Sequence, residues 1–270
     1  MDTYYDKQNS QTEIFPTRSG TMRQVKERSM ATIAVIPGFK PSSPKLVAPR
    51  WHTVLFVALF LALTLGGALF QREARSQPER LLQHPDVAPL YVSLMAMEWG
   101  LFFYVWKGGL RRTGTKLRDL IGGRWRSAKD VAIDASLALG LWTVWMIVER
   151  GWEHWFGPEH AVSIQTFLPR RGVEILLWIG VSISAGICEE VVFRGYFQRQ
   201  FEVFTRSKWI ALFLQAALFG ISHGYQGVEA CVKITIFGGL YGLLALWRGS
   251  LRPGMIAHGG SDILSGIFGV

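Results

Sequence analysis

The chain has 270 residues, of which 49% are hydrophobic and 13% aromatic, and it carries a net charge of +9 from 29 basic and 20 acidic side chains. Long apolar segments recur along it, which excludes an ordinary soluble domain and makes the basic surplus a matter of membrane topology rather than of nucleic-acid binding. Two cysteines, Cys188 and Cys231, both in apolar segments, exclude a disulfide framework and a Cys-x-x-Cys metal site.

Residues 1–48 are polar, rich in Ser, Thr, Lys and Arg, and contain four prolines. They are expected to form a disordered cytoplasmic tail. No secretory signal is read there, because the first apolar run starts only at residue 53. Seven apolar segments follow: Thr53–Phe70, Ala88–Trp106, Val131–Val148, Val173–Cys188, Trp209–Ser222, Val228–Trp247 and Met255–Val270. They predict an all-α, polytopic membrane helical bundle of about seven to eight transmembrane helices, the shorter segments extending into their flanks. Residues 49–130 hold the first spans and a basic loop, and residues 131–270 hold the rest.

The loop 107–129 carries eight Lys or Arg and one acid, Asp119, whereas 72–86 carries three of each sign. The positive-inside rule then places the N-terminus and 107–130 in the cytoplasm and 71–87 outside. Alternation puts 150–172 outside, and 194–208 and 248–252 inside. Trp51, Trp106, Trp125, Trp152, Trp155, Trp209 and Trp247 fall near the ends of spans, as an interfacial aromatic belt does. Gly238-x-x-x-Gly242 is a small-residue face suited to close helix packing.

Three polar constellations interrupt the last apolar segments. They are Glu189-Glu190-x-x-x-Arg194, Phe219-x-x-x-His223 and His258-x-x-x-Asp262. A charged group at the bilayer centre costs at least about 2.5–3.5 kcal/mol, so such residues usually mark a site. Each also fits a structural role when taken singly: a charge cluster at a helix end, a histidine closing a helix beside Gly224, an Asp–His bond between helices. Glu189 and Glu190 are adjacent and point about 100° apart on a helix, whereas Glu190 and Arg194 share a face. The economical division pairs Glu190 with Arg194 and leaves Glu189 free as a general base.

Depth along the helices constrains this assignment. If a helix ended at Glu189, that residue and His223 would lie at opposite membrane faces. The apolar pattern continues past the Glu pair through Val191, Val192, Phe193, Tyr196, Phe197 and Phe201. A helix persisting to about Phe204 puts Glu189 about 22 Å above its end, level with His223 at about 24 Å; His258 and Asp262 come at about 9 and 15 Å. The segment 173–204 is too long for one straight span, so a tilt, or a break near Gly186, is expected.

The set of motifs, in this order, resembles the CPBP family of intramembrane proteases, which includes the type 2 CAAX prenyl endopeptidase and bacteriocin-processing and immunity-associated proteins. Glu189, Glu190 and Arg194 fit its first motif, extended by Phe193 and Gly195; Phe219 and His223 fit its second; His258 and Asp262 fit its third, where Asn is usual. The resemblance covers roughly 130–270 and makes 131–270 a protease core.

It implies an intramembrane endopeptidase that hydrolyses a peptide bond with water activated by Glu189 and His223. CAAX-type protein processing belongs to the same expectation. Glu190, Arg194 and Phe219 would be structural. The third motif would help form an oxyanion site. An ionised Asp262 only accepts hydrogen bonds, so either it is protonated or it orients His258; the second is the expected role, with His258 as donor. The implied setting is a bacterial plasma membrane, with a peptide or protein substrate and no nucleic acid. No cofactor is expected. Zinc held by Glu189, His223 and His258 is the alternative, although no His-Glu-x-x-His is present. A different class of reading remains: a non-catalytic membrane scaffold or bacteriocin-immunity protein, in which the same cluster stabilises the bundle. A transporter would need internal repeats, and none is seen. A serine route through Ser222 or Ser261 lacks a suitable partner geometry.

Overall fold

The computed structural model describes residues 45–75, 87–157, 168–170 and 172–268. Every regular element there is helical, with no strand among the described residues. In chain order they are α1 (Arg50–Arg75), α2 (Ala88–Phe103), the short α3 (Leu117–Ile121), α4 (Ala128–Phe156), α5 (Gly172–Glu189), α6 (Gln198–Thr205), α7 (Lys208–Ser222), α8 (Val228–Arg248) and α9 (Arg252–Phe268). A π-helical segment, Tyr104–Gly109, prolongs α2, and a second, Glu190–Phe197, joins α5 to α6.

Among the described residues, five helical stretches are long and apolar enough to cross a membrane: Arg50–Gly67, Ala88–Thr113, Ala128–Phe156, Gly172–Thr205 and Val228–Arg248. The helices α7 and α9 occupy the two other expected segments but are shorter. The protein is an integral membrane helical bundle. Its outward side chains agree: Leu55, Leu65, Leu139, Ile147, Leu176 and Phe213 are all exposed, as they would be against lipid.

The stretch Gly172–Thr205 runs 34 residues without leaving helical geometry, as the continued apolar pattern requires. It does not break at Gly186. The irregularity lies further on, in the π-helical turns Glu190–Phe197. Gly186 serves instead as a crossing point. A Cβ there would stand 2.8 Å from both the Gly259 nitrogen and the Met255 oxygen, and one on Gly259 would stand 3.1 Å from the Ser182 oxygen. Two bare glycines therefore let the backbones of α5 and α9 touch, as small-residue membrane interfaces do. On α8, Gly238 lets the backbone of Ala216 approach, whereas Gly242 makes room for side chains. Gly242 approaches Gln215, Leu212 and Gln198 so closely that no Cβ would fit, and Gln215 and Gln198 donate to the Gly238 and Gly242 carbonyls at 2.9 and 3.1 Å.

A buried polar lattice fixes α1 against the π-helical segment. His52 Nδ1 lies 2.7 Å from the Tyr196 hydroxyl, which is 2.9 Å from Thr53 Oγ1. Gln200 donates to Thr53 Oγ1 at 2.6 Å and to the Ala48 carbonyl at 2.9 Å, and accepts from the Val47 N–H at 2.8 Å. Val47 and Ala48 are buried, so packing begins ahead of α1. The rest of the expected tail, 1–44, lies outside the described residues, as do 76–86 and 158–167 of the two loops assigned to the outer face.

Candidate active site

The π-helical segment carries the first motif. Every residue from Glu190 to Phe197 is buried. Arg194 Nη1 lies 3.1 Å from Glu190 Oε1, both side chains being wholly buried. The guanidinium nitrogens make no aligned hydrogen bond, so the contact is an ion pair. Its other support is aromatic: the Arg194 guanidinium carbon stands 4.3 Å from the Phe219 ring centre and 5.5 Å from that of Tyr241, within cation–π range. Gly254 makes room for the carboxylate, since a Cβ there would come 2.9 Å from Glu190 Oε2.

The third motif arrives on α9, brought in by the α5–α9 crossing. His258 Nδ1 lies 3.2 Å from Glu190 Oε1 in a buried hydrogen bond. Its Nε2 lies 3.6 Å from Glu189 Oε2 and 3.7 Å from Asp262 Oδ2. Those two separations exceed direct hydrogen bonding but allow strong charge interaction. His258 is thus anchored through one ring nitrogen, and the other has no direct hydrogen bond among the described residues.

The second motif closes α7. Phe219 is buried against Phe193, with ring centres 4.7 Å apart, and against His223 at 4.9 Å. His223 occupies the C-cap of the helix. Its Nδ1 lies 2.9 Å from the Phe219 carbonyl oxygen and 3.2 Å from Ser222 Oγ. A carbonyl only accepts, so Nδ1 carries the proton and Nε2 of the neutral ring keeps its lone pair.

Glu189 and His223 line one cavity of about 280 Å³. Glu189 is the more accessible carboxylate of the pair, its side chain 21% exposed against 0% for Glu190. The cavity is not built from the C-terminal helices alone. Phe60, Leu63 and Thr64 of α1, and Met97, Glu98 and Leu101 of α2, form its other walls. Glu98 was not anticipated from the motifs. Its signal in the sequence is a lone carboxylate ten residues into an apolar run, with no second polar residue at i±3 or i±4.

All seven residues singled out from the sequence therefore gather in one region. Glu190, Arg194, Phe219 and His258 form its packed floor, Glu189 and His223 face the cavity, and Asp262 sits beside His258. The described residues contain no group of three or more His, Cys, Asp or Glu arranged to hold a metal ion.

Residues 171–264 match the family model described as Rce1-like, type II CAAX prenyl endopeptidase Rce1-like. The segment that carries the site is thus similar to the type II CAAX prenyl endopeptidase family. The match begins at α5 and ends beyond Asp262, so it takes in all three motifs and leaves out α1 and α2. No curated protein and no solved structure matches the chain significantly. The family is one of membrane proteases, which makes a bilayer and a protein or peptide substrate its natural setting.

Proposed function

We propose that the protein is a membrane-embedded endopeptidase in which Glu189 and His223 activate a water molecule held between them in the cavity. Glu189 takes a proton from the water while His223 Nε2 accepts the hydrogen bond from its other hydrogen. The resulting hydroxide attacks the carbonyl carbon of the scissile peptide. His258, protonated on both ring nitrogens so that Nδ1 keeps its bond to Glu190, donates from Nε2 to the developing oxyanion, with Asp262 and Glu190 holding its ring. Collapse of the tetrahedral intermediate breaks the C–N bond, and the proton on Glu189 passes to the leaving nitrogen.

The observation that carries this reading is the asymmetry of the Glu pair. Glu190 is occupied by Arg194 and His258, whereas Glu189 faces the cavity shared with a histidine whose tautomer presents a free lone pair. CAAX-type processing of a protein C-terminus is the substrate class that the family match supports. The placement of 107–130 in the cytoplasm of a bacterial plasma membrane, by the positive-inside rule, belongs to the same proposal.

The test is cleavage of an internally quenched peptide by the purified chain in proteoliposomes. Glu189→Ala and His223→Ala should each abolish turnover, with loss of roughly 10²–10⁴-fold as expected for an acid–base group. Either variant retaining wild-type cleavage overturns the mechanism. Chelator-sensitive cleavage restored by zinc would replace it with a metal-assisted one.

A further inference from the structure

Glu98 lies in the middle of α2, outside the segment that matches the family, and it is 93% buried, its residual exposure being 7%. Its Oε2 is enclosed and has no hydrogen-bond partner among the described residues. The side chain lines the same cavity as Glu189 and His223, and it is near enough to Glu189, His258 and Asp262 to interact electrostatically with all three. No Lys or Arg is among the described residues lining that cavity.

The charges around the cavity do not balance. Four carboxyl groups, Glu98, Glu189, Glu190 and Asp262, surround one guanidinium, Arg194, and two imidazoles, His223 and His258. Arg194 is already matched by Glu190 at 3.1 Å. Were all four carboxyl groups ionised, one negative charge would be left over even with both imidazoles charged. The cavity walls contributed by Phe60, Leu63, Met97 and Leu101 are apolar, and a surplus carboxyl group in such surroundings either keeps its proton or takes a positive partner.

We propose that Glu98 is a specificity-determining residue that binds a cationic group of the peptide substrate, a Lys or Arg side chain close to the scissile bond. This rests on the peptidase reading above and adds to it the substrate's charge. The apolar walls take the side-chain stem and the carboxylate takes the head, the arrangement by which long basic side chains bury their methylenes. Because Glu98 stands on α2 and Glu189 on α5, a substrate cation bound between them would fix the peptide across the site.

The experiment measures binding separately from cleavage. The full chain is reconstituted in nanodiscs of phosphatidylcholine, a zwitterionic lipid that adds no attraction of its own. The His223→Ala variant is used, since it cannot turn over yet keeps every carboxylate. The probes are fluorescein-labelled nine-residue Ala/Leu peptides carrying one Lys, scanned through the central positions, and the same peptides with norleucine in its place. The best Lys peptide should bind at least roughly tenfold more tightly than its norleucine twin, as a desolvated charge pair warrants. Adding Glu98→Gln, an isosteric change, should reduce that ratio to about threefold or less. Glu98→Lys should favour peptides with Glu at the same position. Equal affinity for Lys and norleucine in the parent, or an unchanged ratio after Glu98→Gln, overturns the proposal. Should Glu98→Lys fail to fold, Glu98→Gln decides alone. Absence of cleavage by the wild-type chain would count against the peptidase mechanism and leave this binding result standing on its own.

Discussion

Replacing Gly186 with Ala tests whether the helix crossing sets the geometry of the site. The new Cβ would lie 2.8 Å from the Gly259 nitrogen and from the Met255 oxygen, against the 3.4 Å at which ordinary contact begins. Both obstacles are backbone atoms, so neither can swing aside as a side chain would. The helices must part by about 0.6 Å, and overpacking of this kind costs about 1–3 kcal/mol. His258 adjoins Gly259, and Glu190 lies about one turn beyond Gly186. The same displacement would stretch the 3.2 Å bond from His258 to Glu190 to about 3.8 Å, beyond hydrogen-bond range. Misplacement by part of an ångström lowers turnover by roughly 10–100-fold. The assay is kcat/KM for peptide cleavage in proteoliposomes, with Tm in detergent measured in parallel. Gly140→Ala on α4, where a Cβ meets nothing within 4 Å, is the control and should leave both values near wild type. A Gly186→Ala protein with unchanged Tm and kcat/KM within twofold of wild type would refute the crossing. A lowered Tm with full activity would refute its control of the site.

Arg194→Met strands Glu190 in a buried position, so a loss of about 3–5 kcal/mol is expected, seen as a large fall in Tm; the double variant with Glu190→Gln should recover part of it, because the uncompensated charge is then gone. Asp134 is wholly buried on α4, where it accepts from Trp125 Nε1 at 2.8 Å and Arg248 Nε at 2.8 Å and pairs with Arg252 Nε at 3.1 Å. Asp134→Asn should lower stability by about 1–3 kcal/mol in thermal unfolding, the partial exposure of Arg248 moderating the effect. Gln200→Ala removes the side-chain partner of Val47 and Ala48 and one of the two partners of Thr53; limited proteolysis should then cut near residues 45–49 much faster than in wild type, while cleavage of substrate stays within a few-fold.

The sequence is most informative where a pattern outlasts a motif. Val191, Val192, Phe193, Tyr196 and Phe197 remain apolar after two carboxylates, and only a continuing helix buries such a run. The predicted end near Phe204 accordingly falls within one residue of Thr205. The π-helical widening at Glu190–Phe197 could not be read in the same way. It leaves the apolar pattern intact and alters only how the turns are wound. The break expected near Gly186 is instead a helix contact, which was not legible because what Gly186 touches, Gly259, lies 73 positions further along the chain. Glu98 escaped for a related reason. Motif reading rewards pairs at helical spacing, and Glu98 finds its company only across the cavity, on helices remote in sequence.

The two glutamates of the first motif differ because of where the helix changes character. Glu189 is the last residue of α5, and Glu190 opens the π-helical segment. Consecutive residues on a helix diverge by about 100°, so one of the pair must turn inward when the other faces the cavity. The inward one needs a cation, and Arg194 supplies it one turn later from the same widened segment. That guanidinium is itself held over Phe219 and Tyr241, from α7 and α8, and the Glu190 carboxylate it supports holds His258 from α9. The buried half of the motif thus ties three further helices to the segment on which Glu189 stands. Under the proposed mechanism, the reactive carboxylate keeps its place because its neighbour is spent on structure, and a change to Glu190 or Arg194 would disturb catalysis through His258 before it reached Glu189.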